Sequence, residues 1–252
     1  MTRLAITGAT GAMGQTVRKA VKTRDEVAVA LLVSRTEDLD AEVPVVDNTN
    51  LELALERHDV DVLVDFSVPV ASVMAVEAAA NAGVASVIGT TGFDDDEQQR
   101  LRRAAETAPV LFAPNFSRGI QALIASLESA LASLPGYDIE VTETHHNRKR
   151  DAPSGTADRL LETVEEHRQS GNRVHGREGE AQRDPSDIGV HARRAGTITG
   201  EHEVLFAGND EIIRLCHRAE SRTVFAEGAL DAAVWIDGQS PGWYGFDSVV
   251  ST

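Results

Sequence analysis

Two hydrophobic periods run along this chain, and the balance between them changes near residue 114. Before that point, short apolar runs rich in β-branched residues alternate with longer Ala-rich stretches of helical period. The short runs, over residues 3–7, 27–33, 60–66, 85–88 and 110–112, are apolar at nearly every position. Each is therefore predicted to be a strand buried on both faces. Predicted helices span 13–23, 49–58, 69–82 and 94–107. The third has Pro69 in its first turn, and the fourth opens on Asp94, Asp95 and Asp96 at the positive end of its dipole. Three aspartates in a row also suggest a metal site, but a solvated N-terminal cap is the simpler reading. Strand and helix in alternation predict an α/β fold, a Rossmann-type doubly wound parallel sheet covered by helices.

Beyond Pro114 the pattern is different. A helix over 119–134 leads to residues 137–144, where Ile139 and Val141 alternate with polar neighbours as in a half-exposed strand. A polar loop and a helix over 156–168 follow. Residues 173–187, rich in Gly, charge and Pro, are expected to form an exposed loop. Three more strands are predicted over 188–194, 201–206 and 211–219, joined by short Gly-containing gaps as in antiparallel hairpins. A last helix is expected over 223–235. These signals predict an α/β domain (1–116), an α+β domain with a mostly antiparallel sheet (117–221), and a C-terminal segment (222–252) returning to the first domain. The single cysteine, Cys216, lies in an apolar run and is expected in the core; alone, it allows no disulfide within the chain.

Charge narrows the possible partners. The 252 residues carry a formal net charge of −16, and 42% of them are hydrophobic, enough for a core. Nucleic acids and anionic membrane surfaces are excluded, because both bind through Lys and Arg that this surface outweighs with acid. No apolar run approaches the roughly 20 residues of a membrane helix, so a soluble cytoplasmic protein is expected. Of the basic residues only Lys19, Lys22 and Lys149 are lysine, and aromatic residues make up 4%. Abundant acid with scarce Lys resembles proteins adapted to saturated intracellular salt, where self-repulsion is screened.

The first strand runs into Gly8, Ala9, Thr10, Gly11, Ala12, Met13 and Gly14, followed by a helix. Glycines at this spacing let the backbone turn tightly and approach a pyrophosphate, whose charge is met by N–H groups at the helix start. The alternative is a tight strand-to-helix turn without ligand. After the second strand, where an acid would hold the ribose hydroxyls of NADH, stand Ser34 and Arg35. A cation there favours the 2′-phosphate of NADPH, with Glu37 and Asp38 close enough to oppose it.

The densest chemistry lies between Glu143 and Thr156: His145, His146, Arg148, Lys149, Arg150, then Ser154, Gly155 and Thr156 opening a helix. Ser154 and Thr156 could simply cap that helix, or with Gly155 they could bind an anion. Two histidines can transfer protons near neutral pH, whereas a metal would lack a third ligand at recognisable spacing. Lys149, flanked by Arg in a chain that otherwise avoids Lys, suggests a need for a compact ammonium that can release a proton. Together these residues point to a small acidic substrate, with a dicarboxylate fitting best.

This segment resembles the signature of the 4-hydroxy-tetrahydrodipicolinate reductase family, formerly dihydrodipicolinate reductase. The glycine loop, Gly89–Phe93, Ala113–Ser117, Gly196–His202 and Ser221–Arg222 fall in the same order as in that family. The resemblance implies that His145 is the general acid/base and Lys149 a proton donor. It assigns substrate to His146, Ser154, Gly155 and Thr156, and assigns the nicotinamide and its ribose to Gly89, Thr90, Thr91 and Ala113, Pro114, Asn115, Phe116. It further implies NAD(P)H as cofactor and a homotetramer built through the second sheet. Two departures touch the cofactor: Ala12 stands where the family usually has Arg, and Ser34–Arg35 where it often has Glu–Arg. On the residues alone, two other readings stay open: another two-domain nicotinamide dehydrogenase for an amino or hydroxy acid, or a dinucleotide-sensing protein without catalysis.

Overall fold

The computed structural model describes residues 1–35, 42–168 and 171–250. In chain order it has β1 (Thr2–Thr7), α1 (Ala12–Val21), β2 (Val27–Val33), β3 (Val45–Val46), α2 (Leu51–Arg57), β4 (Val62–Asp65), α3 (Pro69–Asn81), β5 (Ala85–Ile88), α4 (Asp95–Ala104) and β6 (Pro109–Phe112). There follow α5 (Arg118–Ser133), β7 (Asp138–His145), α6 (Gly155–Arg168), β8 (Asn172–His175), β9 (Asp187–Arg194), β10 (Gly200–Gly208) and β11 (Glu211–Ala219). The chain closes with α7 (Thr223–Ile236), β12 (Gly242–Tyr244) and α8 (Phe246–Val250). By contact the chain divides into two compact units, Met1–Phe116 with Arg222–Thr252, and Ser117–Ser221.

The first unit is an α/β Rossmann-type layer structure. Its seven strands run in the order β12-β6-β5-β4-β1-β2-β3, with parallel pairing throughout. Because both faces are covered, β4 and β5 are buried at every position. One face packs Val17, Ala20 and Val21 of α1 and Ala226, Ala229, Leu230 and Ala233 of α7; the other packs Leu51 and Leu55 of α2, Val73, Val76 and Ala79 of α3, and Leu101 of α4. The strand order reverses between β1 and β4, the point at which sheets of this kind bind ligands beyond the carboxyl ends of their strands. Asp94 caps α4 in a reciprocal capping box with Glu97.

The second unit is a mixed sheet, β11-β10-β7-β9-β8, with α5 and α6 on one face. Its longest ladder, β10 with β11, is antiparallel, as is β10 with β7, whereas β9 pairs in parallel with both β7 and β8. The expected hairpin between β9 and β10 does not exist. Those strands flank β7, and residues 195–199 cross over its carboxyl end, where Ala195 N donates to His145 O at 2.9 Å and Asn147 N to Gly196 O at 3.1 Å.

Other expectations are corrected as well. The predicted loop over 173–187 begins as β8, a short edge strand whose polar sequence hides the alternation. Cys216 is exposed rather than buried, because β11 is an edge strand and its even-numbered positions face away from the helices. The two-residue β3, and β12 and α8, are too short to leave a periodic signal.

Candidate active site

At the end of β1 the chain turns through the glycine loop into α1. Gly8 has φ of +64°, a left-handed conformation, and a Cβ on it would lie 2.2 Å from Phe66 O. A Cβ on Gly14 would lie 2.2 Å from Gly8 O. Both glycines are therefore required by backbone-to-backbone approach. Gly11, at the N-cap, supplies no side-chain hydrogen bond, so the first N–H groups of α1 are not claimed by a capping side chain. Thr10, Gly11 and Ala12 are exposed, Gly8 and Met13 half-buried and Ala9 buried. A glycine loop at the sheet's reversal point, leading into a helix start that no side chain caps, fits a dinucleotide pyrophosphate.

Beneath this loop sits Asp65, fully buried at the end of β4. Thr7 Oγ1 and Ser67 Oγ donate to its Oδ1, the latter at 2.6 Å, and Thr90 Oγ1 donates to its Oδ2 at 2.6 Å. One carboxylate thus ties the strand before the glycine loop to the Gly89–Thr91 turn. Ala113 and Phe116 are buried, Asn115 half-buried, and Pro114 and Thr91 exposed. Ser34 N donates to Val46 O at 2.9 Å at the end of β2, and Arg35 is exposed there. Glu37 and Asp38 lie outside the described residues.

In the second unit, strand alternation gathers polar groups at one end of the helix-covered face. Glu143 and His145 of β7, His202 of β10, His217 of β11 and Arg194 of β9 all share it, with His202 opposite both Glu143 and His217, and His145 opposite Arg194. The starts of α5 and α6 cover the same end. Ser117 Oγ accepts from Ile120 N at 3.3 Å and lies 3.1 Å from His217 Nε2. Ser154 Oγ accepts from Ala157 N at 3.3 Å and lies 3.3 Å from His202 Nε2. The His145 and His202 rings meet edge to face, 5.2 Å between centroids.

Electrostatics divide these groups. Burial alone would raise the Glu143 carboxyl, but hydrogen bonds from His145 and Arg194 outweigh it and hold the group at about 2. Burial pushes His202 down to about 3, assisted by charge on the neighbouring His145, so it is neutral at working pH. Burial also lowers His217. Lys149 Nζ pairs with Asp151 at 2.8 Å, which offsets the upward effect of burial on that carboxyl and lowers it. His146 and Thr156 are half-buried and Gly155 is exposed at the start of α6.

The structure thus brings His145, Ser154 and their neighbours together in one unit and the glycine loop, Thr90 and Phe116 in the other. Glu143, Arg194, His202, His217 and Asp65 have no role that sequence alone assigns. The available signal was a Glu two residues before His145, at a strand position where alternation demands an inward side chain.

A Rossmann-type unit with this loop, joined to a sheet bearing a carboxylate-bound histidine, defines a class: the two-unit, nicotinamide-dependent oxidoreductases. Comparison with known proteins narrows it. Residues 2–116 match the family described as dihydrodipicolinate reductase, N-terminus, and residues 119–250 match dihydrodipicolinate reductase, C-terminus. The chain is 52% identical over 250 residues to the 4-hydroxy-tetrahydrodipicolinate reductase of Haloarcula marismortui, covering 99% of each chain. It is 50% identical to that of Natronomonas pharaonis, covering 97% of this chain and 98% of the relative. The solved structure of a dipicolinate-bound dihydrodipicolinate reductase from a Paenisporosarcina species superposes with a TM-score of 0.81 at 28% identity, covering 98% of this chain and 99% of that one. The chain belongs to the dihydrodipicolinate reductase family, whose members are NAD(P)H-dependent oxidoreductases.

Proposed function

We propose that this protein reduces 4-hydroxy-tetrahydrodipicolinate with NAD(P)H, releasing water and tetrahydrodipicolinate, in the diaminopimelate route to lysine. The observation that carries the reading is the link in the second unit from acid–base group to anion site: His145 packs on His202, whose Nε2 lies 3.3 Å from the serine at the start of α6. A histidine able to move a proton and a helix start able to hold a carboxylate are thereby built into one framework. Relatives named for this reaction, and a dipicolinate-bound neighbour, support a dicarboxylate substrate.

In this reading Gly8, Ala9, Thr10, Gly11, Ala12 and Met13 cradle the pyrophosphate, and the turn of Gly89, Thr90 and Thr91, with Ala113 to Phe116, borders the nicotinamide and its ribose. Bound NAD(P)H supplies the hydride. Ser154, Gly155, Thr156 and His146 fix the substrate carboxylates, which sets orientation before any bond changes. Lys149 gives a proton near the ring nitrogen, and His145 Nε2 exchanges the proton that accompanies loss of the 4-hydroxyl as water. Arg35, exposed at the end of β2, supports a preference for NADPH through its 2′-phosphate.

Assembly and location follow the same reading. The sheet edge at β11 exposes Ile212 and Ile213, which supports a homotetramer formed through this sheet. No described helix is long and apolar enough to cross a membrane. With a net charge of −16, this favours a cytoplasmic enzyme without nucleic-acid or membrane partners.

The test couples purified protein, in molar KCl, to the synthase that forms the substrate and follows NADPH absorbance. Turnover is expected, falling roughly 10²- to 10⁴-fold in each of His145→Gln and Lys149→Met. No oxidation of either cofactor, or full turnover in both variants, refutes the assignment.

A further inference from the structure

The buried end of the second sheet holds an ion pair that the reaction as described does not use. The Glu143 side chain is 1% exposed, yet it is ionised and bound on every side. Arg194 grips it with two parallel hydrogen bonds, Nη2 to Oε1 at 2.7 Å and Nη1 to Oε2 at 2.9 Å. The guanidinium is itself anchored to backbone, Nη2 to Asp151 O at 2.5 Å and Nη1 to Arg193 O at 2.7 Å. On its other side, Glu143 Oε2 lies 2.5 Å from His145 Nδ1. An ionised carboxylate only accepts, so the proton in that contact belongs to the imidazole. The opposite nitrogen, Nε2, lies against Gly200, where a Cβ would come within 3.1 Å of it.

A buried ion pair whose only purpose is to tie β7 to β9 would be a poor choice, since apolar residues of similar volume do as well or better. Here the pair ends on a histidine, and its geometry acts on that ring. We propose that Glu143 and Arg194 are positioning residues that hold His145 as the Nδ1–H tautomer, turned so that Nε2 is the nitrogen that exchanges a proton with the substrate. Glu143 accepts from Nδ1 and Arg194 fixes that carboxylate by two hydrogen bonds, so the orientation of the ring depends on both residues. His202 from β10, which is neutral, packs against this ring, and His217 from β11 and Lys149, paired with Asp151, act in turn on His202. The proposal rests on the acid/base role assigned to His145 above.

Two substitutions separate this role from simple cross-linking: Glu143→Gln takes the charged acceptor from His145 Nδ1, and Arg194→Gln takes the two hydrogen bonds that fix the Glu143 carboxylate. Both lower kcat, Glu143→Gln by roughly 10- to 100-fold, while KM for the dicarboxylate stays within about threefold. A second readout needs no turnover: long-range ¹H–¹⁵N spectra of the folded protein, with His145→Gln identifying the signal, show a strongly hydrogen-bonded Nδ1–H in the native chain that is lost in Glu143→Gln. If the protein does not turn over the expected substrate, the functional reading fails while the spectra still decide the tautomer. An Nε2–H tautomer in the native protein, or an Nδ1–H signal unchanged in Glu143→Gln, overturns the proposal.

Discussion

His202 offers a direct measurement of how strongly this sheet excludes water. It is 4% exposed and burial depresses it from 6.5 to about 3. In the unfolded chain the same imidazole takes a proton once the pH falls below 6.5; in the folded chain it refuses one until about 3. The stability this group protects is therefore complete above its unfolded value and is lost as the pH falls through the window between the two. Each pH unit inside that window costs about 1.4 kcal/mol, so the descent from about pH 7.5 to about pH 5 removes roughly 2 kcal/mol. In His202→Gln the amide nitrogen can still reach Ser154 Oγ, but nothing titrates. Urea unfolding of both proteins in molar KCl, followed by far-ultraviolet circular dichroism, isolates the effect as the pH dependence of the difference between them. The native chain is expected to lose about 2 kcal/mol relative to the variant over that range. Because burial is the leading cause, added KCl leaves the difference largely intact. Parallel stability curves for the two proteins would refute the reasoning.

Three further outcomes are expected. Gly14→Ala places a Cβ 2.2 Å from Gly8 O and 2.8 Å from the Ala9 Cα, atoms that move only if the loop opens. Fluorescence titration should show at least about a tenfold loss of dinucleotide affinity, with a stability cost of about 1–3 kcal/mol. Asp65→Asn removes the acceptor that Thr90 Oγ1 uses at 2.6 Å and should cost about 1–3 kcal/mol in chemical denaturation. With a net charge of −16, the melting temperature should rise from millimolar to molar KCl as self-repulsion is screened; an unchanged value would contradict adaptation to salt.

The first unit was largely legible because its signals are local. Apolar strands such as 62–65 and 85–88 are buried on both faces and leave continuous runs, and the glycine loop falls between a strand and a helix. His145, Ser154 and Thr156 stood out for the same reason, being packed into one short segment. What escaped is set by pairing across long separations. Arg194 meets Glu143 across 51 residues, and Thr7 and Thr90 meet on Asp65 across 58 and 25. No period in the sequence encodes which strands become neighbours. The error at Cys216 has the same origin: apolar content marked β11 as a strand, but only sheet order shows that it is an edge.

The division of the chain has a consequence for its synthesis. Residues 117–221 interrupt the first unit, whose remaining part, from Arg222 onward, includes α7. That helix is no ornament: Ala226, Ala229, Leu230, Ala232, Ala233 and Ile236 are fully buried, and a Cβ on Gly228 would lie 1.8 Å from Phe116 O. On the ribosome, therefore, the inserted unit emerges whole and can close its core while the nucleotide-binding sheet still lacks one of its covering helices. The unit that starts second is complete first, and the piece that begins the protein is the last to be finished.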